Sequence, residues 1–512
     1  MEKKLIETCR ITEISKATIG KTVKTFGWVE SIRKQGRGGT FIDLFYGFKT
    51  LKCLAPTELV EKALQKYEER HPKEALQEEK KDEKDEVLSE SARKTPGGQR
   101  GMNLTPHSTI YVTCEIKDNF SKKDFHEVEA HITELEIYKI APSFPLNDES
   151  SAYTQLQYGH LNLRRKDRIL FLKARDELLH QFREFYYKKK YCEITPPTLV
   201  KTQVEGGSTL FHLKYYDEDA YLTQSSQLYL ETASPSTGKS YCIMPSYRAE
   251  KFNTSRHLSE YTHIEAELSF ISFKDLLDEI EMMVKEVLRG FFAAMFSEIT
   301  LLDKEFEFDF EKCINSRFIR LPYKNAIKIL RKNEIYKDKE QKIPYQYGDD
   351  ISDRDEVSLV DILGGYPIFL IHFPAEHKPF YCKQEHDSTG ESYGKTEEDA
   401  KLDIKDDIVD DMEGLSLKLK TPTQSVDLLW AGTGEILGGS MRAEKYDDLM
   451  EGFEREGIDP SKYYWYTDLR RFNANPHGGY GLGFERLLKS IMKYDTVNKS
   501  CLYPRFPGRC EP

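Results

Sequence analysis

Two stretches of the chain concentrate groups that could do chemistry. MPSYRAEKFNTSRHLSEYTHIEAE (residues 244–267) packs Arg248, Glu250, Arg256, His257, Glu260, His263, Glu265 and Glu267 between strand-like segments. Strand alternation places Arg248 with Glu250 on one face, and Glu265 with Glu267 likewise. So many charges beside apolar strand residues are costly to bury unless ligands or partners satisfy them, and a solvated hairpin is the plainer alternative. HGGYGLGFERLLKSI (477–491) carries Gly478, Gly479, Gly481 and Gly483, which let a strand and a helix pack closely or approach a ligand, with Arg486 at the start of the helix. Its G-x-G does not continue into a dinucleotide fingerprint, and no G-K-[ST] phosphate loop accompanies it. A third stretch, KKKYCEITPPTLV, runs from a helix end into a strand through Pro196 and Pro197; by itself it reads as a rigid turn.

Elements must hold these groups in place. TVKTFGWVESI, TFIDLFY and KTLKCL read as strands over residues 22–54, with a Gly-rich turn at Gln35–Gly39. A Lys/Glu run over about 58–100 follows, with too few apolar residues to fold alone, and reads as an exposed helix or disordered insertion. Removing about residues 61–93 is therefore expected to leave folding nearly intact. Strand signals resume at STIYVTCEI and HEVEAHITELEIYKIA. Five short strands suggest an OB-type barrel, although any small β-barrel fits the pattern equally. Pro142–Asp148 reads as a linker. Beyond it, Phe171, Ala174, Leu178, Phe182 and Phe185 recur at helical spacing, as do Leu276, Ile280, Met283, Val287 and Phe291 within about 273–296. A second charged insertion, about 386–420, reads as a solvated loop.

The bulk numbers bound the class. At 512 residues the chain accommodates two or three cored domains. No apolar run approaches the ~20 residues that span a bilayer, and the opening MEKKLIETCR lacks the apolar stretch of a secretory signal. Nine scattered cysteines without a C-x-x-C pair read as reduced thiols in a reducing compartment. A net charge of −11 argues against a simple basic nucleic-acid binder. Residues 1–57 nevertheless hold eleven basic against five acidic residues, a local positive field able to steer a polyanion.

In order, the three chemistry-bearing stretches resemble motifs 1, 2 and 3 of class II aminoacyl-tRNA synthetases. YLTQSSQLYLE, GEILGGSMR, EGIDPSKYYWYTDLR and CLYPRFPGRC resemble the asparaginyl branch, particularly its eukaryotic cytosolic form. The resemblance covers nearly the whole chain outside the two charged insertions. It implies an α+β chain: an OB-type anticodon-binding barrel over 1–141, a linker over 142–165, and a class II catalytic domain over 166–512, its antiparallel sheet flanked by helices. It implies a cytoplasmic ligase that activates L-asparagine with ATP and Mg²⁺, releases pyrophosphate, and charges tRNA(Asn). Such chemistry needs no protein nucleophile; it rests on positioning and charge stabilisation.

The resemblance also assigns roles. Arg248, Arg486 and Glu435 are the catalytic set, with Arg248 on the α-phosphate and the amino-acid carboxylate. Glu250 helps hold ATP, Arg256 and His257 take the β- and γ-phosphates, Tyr261 and Arg486 sandwich adenine, and Leu258 and Gly483 complete the nucleotide site. Glu435 with Asp427 holds Mg²⁺; Gly438 stands where aspartyl enzymes carry a Ser. Glu205 and Gln227 lie near the substrate ammonium, while Glu265 and Arg442 meet the side-chain amide. Leu230 replaces the Lys that aspartyl enzymes direct at the substrate carboxylate. Arg33, Phe41 and Lys52 contact the anticodon, with Lys52 standing where relatives often carry a uridine-reading Gln. Pro197 marks a homodimer interface. Competing readings are an aspartyl-tRNA synthetase, a tRNA-independent ligase making asparagine, which usually lacks the barrel, and a non-catalytic RNA-binding paralogue, which is expected to lose Arg248, Glu435 or Arg486.

Overall fold

The computed structural model describes residues 7–35, 39–72, 103–119, 127–204, 209–251, 254–385, 393–394, 396, 421–472 and 474–511. The chain divides into two compact units, Met1–Tyr158 and Gly159–Pro512.

The first unit is built on β1 (Thr22–Lys34), β2 (Thr40–Tyr46), β3 (Lys49–Ala55), β4 (Thr109–Asp118) and β5 (Val128–Lys139). Pairing runs β1-β2-β3-β5-β4 and returns from β4 to β1, which closes the sheet into a barrel. A two-residue strand, Glu7–Thr8, adds to β1 in parallel. Val23, Val29, Ile42, Leu44, Cys53, Val112 and Ile132 fill the interior, as alternation demands.

Helix α1 (Thr57–Arg70) corrects the expectation for the first insertion. Its Val60, Ala63 and Tyr67 are buried in the barrel core, Tyr67 at 1% exposure. Their spacing is one helical stripe, narrow enough for the surrounding Lys and Glu to mask. Residues 57–70 thus belong to the barrel, and a deletion starting at residue 61 would remove part of its core. The remainder of that run, 73–102, lies outside the described residues.

The second unit is an eight-stranded sheet with helices packed on both faces. In chain order its elements are α2 (Lys166–Lys188), β6 (Cys192–Glu193), α3 (Gln227–Thr237), β7 (Lys239–Tyr247), β8 (Glu260–Ser269), α4 (Phe273–Leu302), β9 (Ile319–Pro322), α5 (Asp353–Ile362), β10 (Ile368–Ile371), β11 (Ser425–Trp430), β12 (Gly434–Met441), α6 (Tyr464–Phe472), β13 (His477–Gly483) and α7 (Phe484–Ile491). The strand order is β9-β10-β11-β12-β13-β8-β7-β6, antiparallel except at its two outer pairs. In the motif 1 stretch the strand, β6, precedes Pro196 and Pro197, and a second short strand, Leu199–Val200, follows them. Helices α2 and α4 bury the stripes read from the sequence against Ile264, Ala266, Leu268, Leu428, Leu437 and Leu482 of the sheet. Helix α4 runs to Leu302, six residues past its expected end. On the opposite face α5 packs through Leu359 and Val360 on Ile368, Leu370 and Leu429, and α3 begins over Glu265.

Among the described residues no helix is long and apolar enough to cross a membrane. All nine cysteines are free thiols. The second charged insertion lies outside the described residues over 386–392, 395 and 397–420.

The α1 stripe generates a stability test. Tyr67→Ala empties a fully buried site in the small barrel, and urea unfolding should show a loss of about 3 kcal/mol; an unchanged midpoint would mean that α1 contributes nothing to the core.

Candidate active site

A cavity of about 760 Å³ opens on the face of the large sheet opposite α2 and α4. Its floor follows from strand alternation along β8. Ile264, Ala266 and Leu268 pack on the helices, so Tyr261, His263, Glu265 and Glu267 face the cavity. Beyond the end of β7, Arg248 and Glu250 line it as well, with Arg248 Nη1 3.9 Å from Glu250 Oε1.

The glycines of β13 are what let those side chains lie across the sheet. Gly479 pairs with Glu267 and Gly481 with Glu265. A Cβ at Gly481 would stand 2.3 Å from His263 Nε2, and one at Gly479 would stand 2.0 Å from Glu267 Oε2 and 2.2 Å from the Ala266 carbonyl oxygen. On the neighbouring strand Gly438 pairs with both Asp427 and Gly481, but a Cβ there would make only ordinary contacts.

A bulge re-aims one further residue. The β11–β12 register shifts at Leu428/Leu429, so that Leu437 pairs with Leu428 while Glu435 pairs with Leu429. Ile436 is the extra residue, and Glu435 thereby turns to the cavity face that it would otherwise miss. Glu435 Oε1 and Asp427 Oδ1 come within 3.4 and 3.5 Å of where a Gly438 Cβ would stand. The two carboxylates therefore flank one Cβ-free space.

Each charge in this region already has a counter-charge or a donor. Arg486 Nη1 donates to Glu435 Oε2 at 3.0 Å and to the Glu435 carbonyl at 3.0 Å. Burial alone would raise the Glu435 pKa, but the cations of Arg486, Arg256, Lys378 and Arg248 hold it down to about 2. Lys378 Nζ donates to both Asp427 oxygens at 2.7 Å. Burial and the Glu435 charge nevertheless push Asp427 up to about 6. Arg256 bonds Asp353 and, at 2.7 Å, Glu356, both in the first turn of α5. Glu356 also accepts from the Glu435 backbone N–H at 3.0 Å, and burial pushes its pKa to about 7. Gly434 (φ +77°) admits this pair, since its Cβ would lie 2.6 Å from Glu356 Oε2. His257 sits 3.5 Å from Glu250, and burial together with Arg486 lowers its pKa.

At the other end of the cavity, Glu265 is 2% exposed and accepts from Ser225 Oγ and from the Ser226 backbone N–H at 2.9 Å, where α3 begins. Arg442 forks onto Glu267, Nε to Oε1 at 3.1 Å and Nη2 to Oε2 at 2.9 Å. Gln227 donates to Glu231 at 3.0 Å, and Leu230 presents an uncharged wall.

The structure thus gathers Arg248, Glu250, Arg256, His257, Leu258, Tyr261, Glu265, Gln227, Asp427, Glu435, Arg442, Gly483 and Arg486 around one cavity. It does not join Glu265 to Arg442, whose carboxylate partner is Glu267. Glu205 lies outside the described residues. Lys378, Asp353, Glu356, Ser225 and Glu231 were not read from the sequence; no spacing pattern marks them, and only the alternation along β8 pointed to Glu267. On the barrel, Arg33 pairs with Phe41 across β1 and β2, and Lys52 sits opposite Asp43, on strand positions that alternate outward from the barrel core.

A family model described as "tRNA synthetases class II (D, K and N)" matches residues 151–507. The chain belongs to that family. It is 44% identical over 505 residues to the "Probable asparagine--tRNA ligase, cytoplasmic" of Encephalitozoon cuniculi, covering 98% of this chain and 94% of that one. The asparaginyl-tRNA synthetase of Entamoeba histolytica, solved with asparaginyl-adenylate, is similar in structure, with TM-score 0.76 and 34% identity over 99% of each chain. That of Pyrococcus horikoshii, also with asparaginyl-adenylate, gives TM-score 0.79 and 28% identity over 99% of this chain and 100% of that one. In this synthetase the barrel and the helix-backed sheet are the two parts that the sequence anticipates.

The glycine floor yields a paired prediction. Gly479→Ala forces a methyl into the Ala266 backbone and should lower unfolding stability by about 1–3 kcal/mol. Gly438→Ala meets only ordinary contacts and should unfold as the wild type does; equal losses for both in urea titrations would refute this account of the floor.

Proposed function

We propose that the chain is an asparagine–tRNA ligase working in the cytoplasm. A carboxylate oxygen of L-asparagine attacks the α-phosphorus of ATP, and pyrophosphate leaves. The terminal ribose hydroxyl of tRNA(Asn) then attacks the acyl carbon, and AMP leaves. The observation that carries this reading is the likeness, over 99% of the chain at 34% identity, to a synthetase solved with asparaginyl-adenylate. The cavity's chemistry supports it, with arginines near one end and a buried carboxylate beside an uncharged Leu230 near the other.

Arg248 takes the α-phosphate and the substrate carboxylate, where charge builds up in the transition state. Arg256 and His257 take the outer phosphates, with Glu250 and Gly483 beside them. Tyr261, Leu258 and Arg486 enclose the adenine. Glu205 and Gln227 meet the ammonium of the amino acid. Glu265 and Arg442 serve the side-chain amide from opposite sides, the first as acceptor and the second as donor.

Enzymes of this family use ATP with a divalent metal. The donor set here fits one: Glu435 and Asp427 offer hard oxygens on either side of the space above Gly438. When bound, Mg²⁺ supplies charge neutralisation to the phosphates. The side chains' own part is to keep both carboxylates ionised, through Arg486 for Glu435 and Lys378 for Asp427.

The barrel contributes tRNA binding through Arg33, Phe41 and Lys52, an aromatic and two cations on one outer face. Pro197 lies in the stretch proposed to meet a second copy in a homodimer.

Three measurements test this reading. ATP–pyrophosphate exchange by the purified protein should run with asparagine and barely with aspartate; faster exchange with aspartate would install the aspartyl reading instead. Arg248→Ala should lower exchange about a hundredfold or more, with melting unchanged. Phe41→Ala should weaken tRNA binding by the ~1–3 kcal/mol of one stacked base while leaving exchange intact; normal tRNA affinity in that variant would remove Phe41 from the interface.

A further inference from the structure

Behind the amino-acid end of the cavity lies a buried ionic cluster to whose central residue the resemblance assigns no role. Its centre is Glu231, on α3, whose side chain has no solvent exposure. Glu231 accepts from Gln227 Nε2 at 3.0 Å, Tyr466 Oη at 2.8 Å and Arg470 Nη2 at 2.9 Å, and His477 Nε2 lies 3.1 Å away. Against the penalty of burial, Arg470, His477 and Arg442 hold it below the usual carboxylate range. Arg442 Nε stands 3.7 Å from Glu231 Oε1, on the side away from the cavity that Arg442 lines.

The donors of Arg442 can be counted. Of its five N–H groups, Nε and one on Nη2 go to Glu267, and one on Nη1 goes to Ser440 Oγ at 2.6 Å. Among the described residues, one hydrogen on each terminal nitrogen is then left for a ligand. The charges can be counted too. Two guanidiniums, Arg442 and Arg470, stand against two carboxylates, Glu231 and Glu267; the two ring nitrogens of His477 face only acceptors, the Asn475 carbonyl at 2.8 Å and Glu231 at 3.1 Å, so both donate and the ring counts as a third cation, which the carboxylate of Glu265 balances. That carboxylate lies on the cavity wall, held by Ser225 and the Ser226 N–H. Glu231, Glu267 and His477 also bring ligand atoms within 4.8 Å of one another, but the two guanidiniums already supply the positive charge that a metal ion would bring.

We propose that Glu231 is a specificity-determining residue: it neutralises Arg442 from behind, so that Arg442 donates to an amide oxygen without a net positive field that draws a carboxylate. Glu231 does not touch the substrate. It acts through Arg442, which it positions and discharges. A neutral amide responds to the local donor geometry, which Glu267 and Ser440 fix. A carboxylate responds in addition to the summed charge around it, to which Glu231 contributes one full unit in a medium of low dielectric. This inference rests on the asparagine reading given above.

Glu231→Gln keeps the shape and one acceptor oxygen while removing the charge. In ATP–pyrophosphate exchange, the asparagine-to-aspartate ratio of kcat/KM should fall by about tenfold or more, chiefly through a lower KM for aspartate. Glu231→Asp, which retains the charge, should keep the ratio within about threefold of wild type even where both rates drop. Should the Gln variant fail to fold, Arg470→Gln reads the same field with the opposite sign, and its ratio should rise. A folded variant of either kind in which both substrates lose activity in parallel, with the ratio unchanged, reduces Glu231 to a structural ion-pair partner and overturns the proposal. A wild-type protein that prefers aspartate overturns the asparagine reading instead, so the two failures are distinct.

Discussion

Charge in the cavity is paired before any ligand enters, and the rest of the catalytic unit is arranged around that requirement. A carboxylate or guanidinium taken out of water loses several kcal/mol of hydration, which only a close partner restores. Arg486 therefore rests on Glu435, Lys378 on Asp427, Arg256 on Asp353 and Glu356, and Arg442 on Glu267. Glu265, with neither an Arg nor a Lys against it among the described residues, takes its donors from Ser225 Oγ and the Ser226 N–H at the start of α3. Such a site needs little reorganisation to meet charge that develops during a reaction. It also means that any anion reaching these arginines must compete with the carboxylates of Glu435, Asp353 and Glu356.

The sheet is what makes this pairing dense. Across one row run Asp427, Gly438, Gly481, Glu265 and Cys242, five neighbours in register on five strands. Two of the five have no side chain: the His263 ring lies over Gly481, and Glu435 and Asp427 border Gly438. Meanwhile Ile264, Leu437 and Leu482, one residue along, are buried against α2 and α4. The same alternation drives both faces, so the apolar core and the charged floor stand or fall together. A shift of one residue in β8 would exchange them.

The parts of this arrangement that depend on period were legible in the sequence. The stripe from Phe171 to Phe185, the five barrel strands and the alternation of Glu265 with Glu267 all stand where the spacing put them. The α1 stripe was hidden, because Val60, Ala63 and Tyr67 are three apolar residues inside a run whose composition is charged. The choice of Glu267 over Glu265 as partner of Arg442 was also hidden. Both acids share a face, and only the three-dimensional distance along that face decides between them. Lys378 and Glu356 lie in none of the quoted stretches, and Glu231, the last residue of YLTQSSQLYLE, is marked by no spacing; each reaches its partner, Asp427, Arg256 or Arg442, only in the folded chain.

The bulge at Ile436 shows the limit of pattern reading most sharply. In GEILGGSMR, Glu435 and Gly438 are three residues apart, and strict alternation puts them on opposite faces of β12. Family likeness assigns Glu435 to the nucleotide, but nothing in the spacing says how its side chain reaches that face. The extra residue does so locally, at the cost of one disrupted ladder step, and it leaves the Leu437 side chain in the core. Because Glu356 accepts from the Glu435 backbone N–H while holding Arg256, the bulge, the first turn of α5 and the motif 2 arginine form one mechanical unit. A change to any of the three should therefore be felt first at Arg256, and only secondarily at the Glu265 end of the cavity, where the Arg442 cluster has its own separate set of partners.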